Sequence, residues 1–177
     1  MIAGMIIVIV IIVGMIVTTV GMIVTHGDPN GRIDNTLGGA DFVYRNSSFR
    51  GDQTLLGKLW FQKSFSSDAS SNEFAYAAGI AYPNDLVNWR INYKEIGESF
   101  NPALGFVNRT GIREYDGRYR YRIRRAGYFR TFDFKLLGGL TTDRSNQVES
   151  GNVRAIPLRF ENRYAGRMEV FFQHTFE

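Results

Sequence analysis

The sequence contains no cysteine, which excludes disulfides, thiolate metal sites and a cysteine nucleophile. Histidine is nearly absent too. The two present, His26 and His174, stand at opposite ends of the chain, and neither has a second ligand at metal spacing. No Gly-x-Ser-x-Gly, phosphate-loop or dinucleotide-binding pattern occurs. Asp28-Pro29-Asn30-Gly31 with Asp34 is a poor calcium loop, because the twelfth position is Gly39 where a glutamate is needed. A hairpin turn accounts for it better. Glu95, Glu98, Glu114 and Asp116 flank a long loop, but nothing in their spacing makes a glycosidase pair. The expectation is a protein that is not an enzyme, with no catalytic, cofactor-binding or metal-binding residues.

Proline is scarce at 4, whereas glycine reaches 19 and aromatics 14%. That balance suits a sheet protein with tight turns. At 177 residues the chain has the size of one domain. Charged residues, at 21%, are too many for a bundle of membrane helices. The net charge of +4 and pI of about 9.5 suit an anionic partner.

Residues 1–25 form a hydrophobic segment apart from the rest. Met1 to Val17 has no polar side chain, and the apolar run continues past Thr18 and Thr19 to Val24. Its length fits a membrane helix. Its isoleucine and valine fit a strand. No lysine or arginine precedes it, so the charged start of a signal peptide is missing. Composition alone points to a helix, with a strand over Val17 to Thr25 as the alternative.

Over residues 26–177 the period changes to two. In Leu86 to Glu95, the side chains of Val87, Trp89, Ile91 and Tyr93 fall on one face. Asn88, Arg90, Asn92 and Lys94 fall on the other. A strand separates these sets and a helix mixes them. The pattern recurs over Ala40 to Arg45, Leu55 to Phe65 (with Trp60 out of step), Phe74 to Tyr82, Arg118 to Arg124, Tyr128 to Leu136, Asn152 to Phe160 and Met168 to Phe176. In Asn152 to Phe160 the spacing places Ile156, Leu158 and Phe160 on one face. Asp28 to Gly31, Ser66 to Asn72 and Pro83 to Asp85 read as turns, and Gly97 to Gly117 and Thr141 to Gly151 as longer loops. The expected fold is all-β: an antiparallel up-and-down meander of about eight or nine strands, forming a transmembrane β-barrel or a segment of one. Strand lengths near those that cross a bilayer, aromatics near strand ends and charged polar faces favour a barrel over a soluble sandwich.

Arg118, Arg120, Arg122 and Arg124 recur at every second position, with Tyr119 and Tyr121 between them. Period two puts tyrosines and arginines on opposite faces, which argues against a base-stacking nucleic-acid surface. A charged ladder facing a water-filled lumen explains the spacing better. That ladder takes in Arg90, Lys94, Arg118, Arg120, Arg122, Arg124, Asp133 and Lys135, while Val87, Trp89, Ile91 and Tyr93 face lipid. Asp133 is the expected partner of the arginines. Glu95 is a second candidate, although its parity puts it with the apolar set.

Several stretches carry a resemblance. They are Tyr-Pro-Asn-Asp-Leu at 82–86, Tyr-Lys-Glu-Ile-Gly-Glu-Ser-Phe-Asn-Pro-Ala-Leu-Gly-Phe-Val at 93–107 and Arg-Thr-Gly-Ile-Arg at 109–113. His-Gly-Asp-Pro-Asn-Gly-Arg at 26–32 and Gly-Ala-Asp-Phe at 39–42 join them. Over roughly Val20 to Glu177 the chain resembles the barrel domain of large bacterial surface proteins that begin with a family-9-type carbohydrate-binding module. The resemblance implies a bacterial outer-membrane location, a lipid bilayer as partner, and a passive channel or surface scaffold in glycan handling, with a glycan or anionic solute as second partner. It brings no catalytic residues. It also implies a strand before His26, which leaves helix and strand open there. The carbohydrate-binding module is absent and Phe176 is followed by Glu177, so a fragment of a longer chain is expected. The alternative function is a soluble or membrane-anchored β-sandwich that binds carbohydrate through Trp60 and Trp89.

Overall fold

The computed structural model describes residues 3–27, 35–66, 74–102 and 104–177. Among them it contains ten strands and no helix. The strands are β1 (Ala3–Val13), β2 (Ile16–His26), β3 (Asn35–Phe49), β4 (Gln53–Ser66) and β5 (Phe74–Pro83). They continue as β6 (Val87–Ile96), β7 (Ile112–Arg124), β8 (Phe129–Asp143), β9 (Val148–Asn162) and β10 (Arg167–Phe176). All pair antiparallel in one sheet, in chain order, with β1 and β10 at its two ends. The chain is thus an all-β meander. A single sheet is not the two facing sheets of a sandwich.

The apolar start is a hairpin, so the helical alternative does not hold. Ile and Val are stiff at χ1 and fit a pleated surface. β1 and β2 join through Gly14-Met15, where Gly14 takes φ +58°, the left-handed conformation that tight hairpins require. β2 then pairs with β3 from Ile16↔Asn46 to His26↔Thr36. The expected pairing of Val17 to Thr25 with Ala40 to Arg45 is present.

Several boundaries differ from the sequence reading. β3, β8 and β9 have 15 residues each. The loop expected over Thr141 to Gly151 shrinks to 144–147, and β7 begins at Ile112, inside the loop expected to run to Gly117. The Asp28 to Gly31 turn, with Asp34, lies outside the described residues, as does most of the Ser66 to Asn72 turn.

The sheet has one apolar and one charged face. The apolar face is largely uncovered: Phe61 is 48% exposed, Ile91 60% and Phe172 67%. The chain exposes 11533 Å², against about 8,700 Å² for a compact monomer of this mass. β1 differs from the other strands, since Ile6, Val8, Val10 and Ile12 on one side and Ile7, Ile9 and Ile11 on the other are all exposed.

The sheet curls around its charged face. Residues of that face from β4 through β9 line one cavity of about 420 Å³. Small residues permit the curl. Ala75, Ala77, Gly79 and Ala81 fill the charged-face positions of β5. A side chain at Gly21 would collide with Asp41, one at Gly79 with Asn92, and one at Gly39 would lie 2.9 Å from Gln62 Cγ. Glycine on the inside of a bend allows this close approach.

Candidate functional site on the charged face

Cross-strand register fixes which side chains share the charged face. From β6 to β7, Arg90 stands opposite Arg118, Asn92 opposite Asp116 and Lys94 opposite Glu114. From β7 to β8, Arg120 stands opposite Lys135 and Arg122 opposite Asp133. The expected ladder of Arg90, Lys94, Arg118, Arg120, Arg122, Arg124, Asp133 and Lys135 therefore lies on one face. Val87, Trp89, Ile91 and Tyr93 lie on the other, opposite Tyr121, Tyr119, Gly117 and Tyr115. Trp89 stacks on Tyr82 with ring centroids 6.1 Å apart.

Most ladder charges are paired. Arg122 forks Asp133, with Nε donating to Oδ1 at 2.6 Å and Nη2 to Oδ2 at 2.8 Å. The Asp133 side chain is 2% exposed. Lys94 Nζ lies 2.7 Å from Glu114. Asp116 accepts from Asn92 at 2.8 Å and lies 3.4 Å from Arg90. Arg124 reaches Asp85 at 2.6 Å, in the turn between β5 and β6. Bidentate arginine–carboxylate pairs are the strong members of this set. The half-exposed pairs contribute little stability and mainly fix geometry.

Glu95 is not a partner of the ladder. It sits on the apolar face, 4% exposed. There it accepts from Tyr93 at 2.6 Å, Tyr76 at 2.9 Å and Arg113 at 3.1 Å, with Arg144 at 3.2 Å. Parity separates it from the ladder arginines and also from Glu114 and Asp116, which share the charged face.

Ile156 does not share the face of Leu158 and Phe160 that its spacing predicts. β9 carries one extra residue around Pro157, since Asp133 pairs with Arg159 but Lys135 with Ile156. Proline lacks the N–H that a ladder needs and settles at bulges. The shift turns Ile156 to the charged face and leaves Leu158 and Phe160 on the apolar one. It also turns Arg154 to the charged face, where Arg159 and, from β10, Glu169 stand beside the arginine ladder. Only Pro157 inside an otherwise regular strand signals this in the sequence.

The long loop between β6 and β7 folds inward. Phe100 packs with Leu37, Ala75, Ile96 and Ile112, a buried cluster with Trp60 and Val107 against it. Ser64 Oγ accepts from Asn101 N at 3.0 Å. The loop covers one end of the charged face. Beyond it the 420 Å³ cavity is lined by Lys58, Trp60, Lys94, Glu114, Asp116 and Asn152, among others. An indole beside amide, carboxylate and ammonium groups is the mixture that holds a polar ring such as a sugar. Trp60, which broke the apolar alternation of its segment, faces this cavity.

Among the described residues no group of three or more His, Asp or Glu is placed to hold a metal. His26 bonds to Thr36 at 2.9 Å, and His174 stacks on Phe176. No family model, curated protein or solved structure matches the chain.

Proposed function

We propose that the chain is the wall, or part of the wall, of a β-barrel in a bacterial outer membrane, and that it serves as a passive channel or surface scaffold in glycan handling. One observation carries this reading: a single sheet with one exposed apolar face and one charged face that it curls around. In water the apolar face is a large unpartnered patch. In a bilayer it meets acyl chains, while the charged face lines water. The connections support the same setting. At one end of the sheet they are 14–15, 50–52, 84–86, 125–128 and 163–166. At the other they are 27–34, 67–73, 97–111 and 144–147. Every connection at the first end is a short turn and three of the four at the second are longer, the asymmetry that marks outer-membrane barrels, many of which an inward loop narrows or plugs. Glycan as solute rests on the resemblance of residues 93–107 and on the Trp60 cavity.

Cysteine substitutions along β6, in lipid vesicles treated with a membrane-impermeant thiol reagent, test the orientation. Asn88, Arg90, Asn92 and Lys94 positions should label, and Val87, Trp89, Ile91 and Tyr93 positions should resist. Equal labelling at all eight would sink the barrel reading. Planar-bilayer recording separates the two roles: an anion-selective conductance supports a channel, and a sealed bilayer with protected β6 supports the scaffold.

A further inference from the structure

Arg118, Arg120, Lys135, Arg154, Arg159 and Glu169 line a second hollow of about 320 Å³ on the charged face. Five of these side chains are cationic and one is acidic. Arg120 stands directly opposite Lys135, and like charges so placed repel across a sheet. The neighbouring acid, Asp133, is already forked by Arg122. Glu169 is divided between Arg154 at 3.3 Å and Arg159 at 3.9 Å. Among the described residues Arg118, Arg120 and Lys135 have no ion pair. The Nε atoms of Arg120 and Arg154 are buried without an acceptor. A buried donor left unmade is costly, most of all on a charged group. The repulsion and both orphaned donors call for the same thing, an anion with several acceptor oxygens.

We propose that this hollow binds a small oxyanion of the phosphate or sulfate type, free or carried on a sugar. Arg120 and Lys135 are its main contacts, and Arg118 and Arg154 close the sides. Guanidinium forks match such oxyanions in shape as well as charge. The volume lies at the lower end of ligand pockets, about 300–1,000 Å³. Beside the hollow, the Phe171 ring is 51% exposed and packs on the Arg154 guanidinium at 4.5 Å, an apolar surface on which a sugar face can rest. The proposal rests on the barrel reading only for its setting, since the hollow must open to water.

Isothermal titration calorimetry on the full chain, refolded in detergent micelles, tests it with inorganic phosphate, inorganic sulfate, glucose 6-phosphate and glucose. Phosphate and sulfate should bind and glucose should not. Arg120→Ala with Lys135→Ala should weaken binding about tenfold to a hundredfold, the scale of lost charge-assisted hydrogen bonds. Arg45→Ala, on the charged face of β3, should leave binding unchanged. If the double variant does not refold, Arg120→Lys gives the same readout by keeping the charge and removing the Nε donor. Glucose 6-phosphate binding more tightly than phosphate assigns the sugar-borne anion, and equal affinities assign the free one. Absence of phosphate and sulfate binding, or affinity untouched by the Arg120 and Lys135 changes, overturns the site. Binding without membrane insertion overturns the barrel reading alone, and conductance without binding overturns the site alone.

Discussion

Asn35 Nδ2 donates to the main-chain oxygen of Asn101 at 3.0 Å, tying the inward loop to the first residue of β3. The same nitrogen donates to Ser66 Oγ at 2.6 Å. Asn35 is 3% exposed, so its side-chain amide is buried and spends its donors on these two bonds. The loop is therefore anchored by polar bonds at Asn35 and Ser64 and by the Phe100 ring.

Phe100→Ala should release that loop. Phe100 is 5% exposed, and truncating a buried phenylalanine costs about 3–5 kcal/mol. The expected outcome is faster protease cleavage within 97–111 and, in a bilayer, a larger unit conductance. Unchanged cleavage and conductance would show that the loop does not depend on this ring.

Arg122→Ala should be the most damaging single change on the ladder. It leaves Asp133 buried without its fork, and breaking a buried pair from one side costs about 3–5 kcal/mol. Urea unfolding followed by tryptophan fluorescence measures the loss. Arg90→Ala, which removes a half-exposed partner of Asp116, should cost under about 1 kcal/mol. Equal effects from the two would contradict the burial argument.

Glycines on the charged face should resist substitution where a neighbour leans over them. Gly79→Val collides with Asn92 and should destabilise by about 1–3 kcal/mol through overpacking. Gly38→Ala meets nothing within 4 Å and should be tolerated. Thermal unfolding of both variants makes the comparison.

The Asp85–Arg124 pair should respond to acid. The hydrogen bond from Arg124 holds the Asp85 carboxyl below its ordinary value, with Arg124, Arg122 and Arg120 adding charge attraction. A carboxyl with a lowered folded pKa stabilises above its unfolded pKa, and that stability is lost as pH falls through the lowered value. The tether between the β5–β6 turn and β7 should hold at neutral pH and release only under the ordinary aspartate range. Carboxyl carbon shifts in an NMR titration give the midpoint. A midpoint at or above that of an unstructured aspartate would contradict the pairing.

Much of this was legible in the sequence where alternation is unbroken. Val87 to Lys94 and Arg118 to Arg124 state their two faces residue by residue, because a strand has no other way to place them. Asp133 was found as the ladder's partner because the β7–β8 turn is short. β1 resisted because it is apolar on both faces, so no period distinguishes strand from helix. The face of Ile156 is not legible because one bulge inverts the parity of everything beyond it. The same bulge hides Arg154, which alternation puts on the face of Leu158 and the register puts on the charged one. The inward fold of Phe100 depends on Leu37, Ala75 and Ile112, which are distant in sequence, and no local pattern in 97–111 shows them.

Each strand is bonded only to its predecessor and its successor in the chain. No pairing must wait for a distant segment to arrive, so each new hairpin closes a short loop at small entropic cost. The sheet can grow like a zipper, strand by strand, onto whichever part has already formed. Its registers are then local agreements between neighbours, and removal of β1 at one border leaves those of β3 to β10 standing.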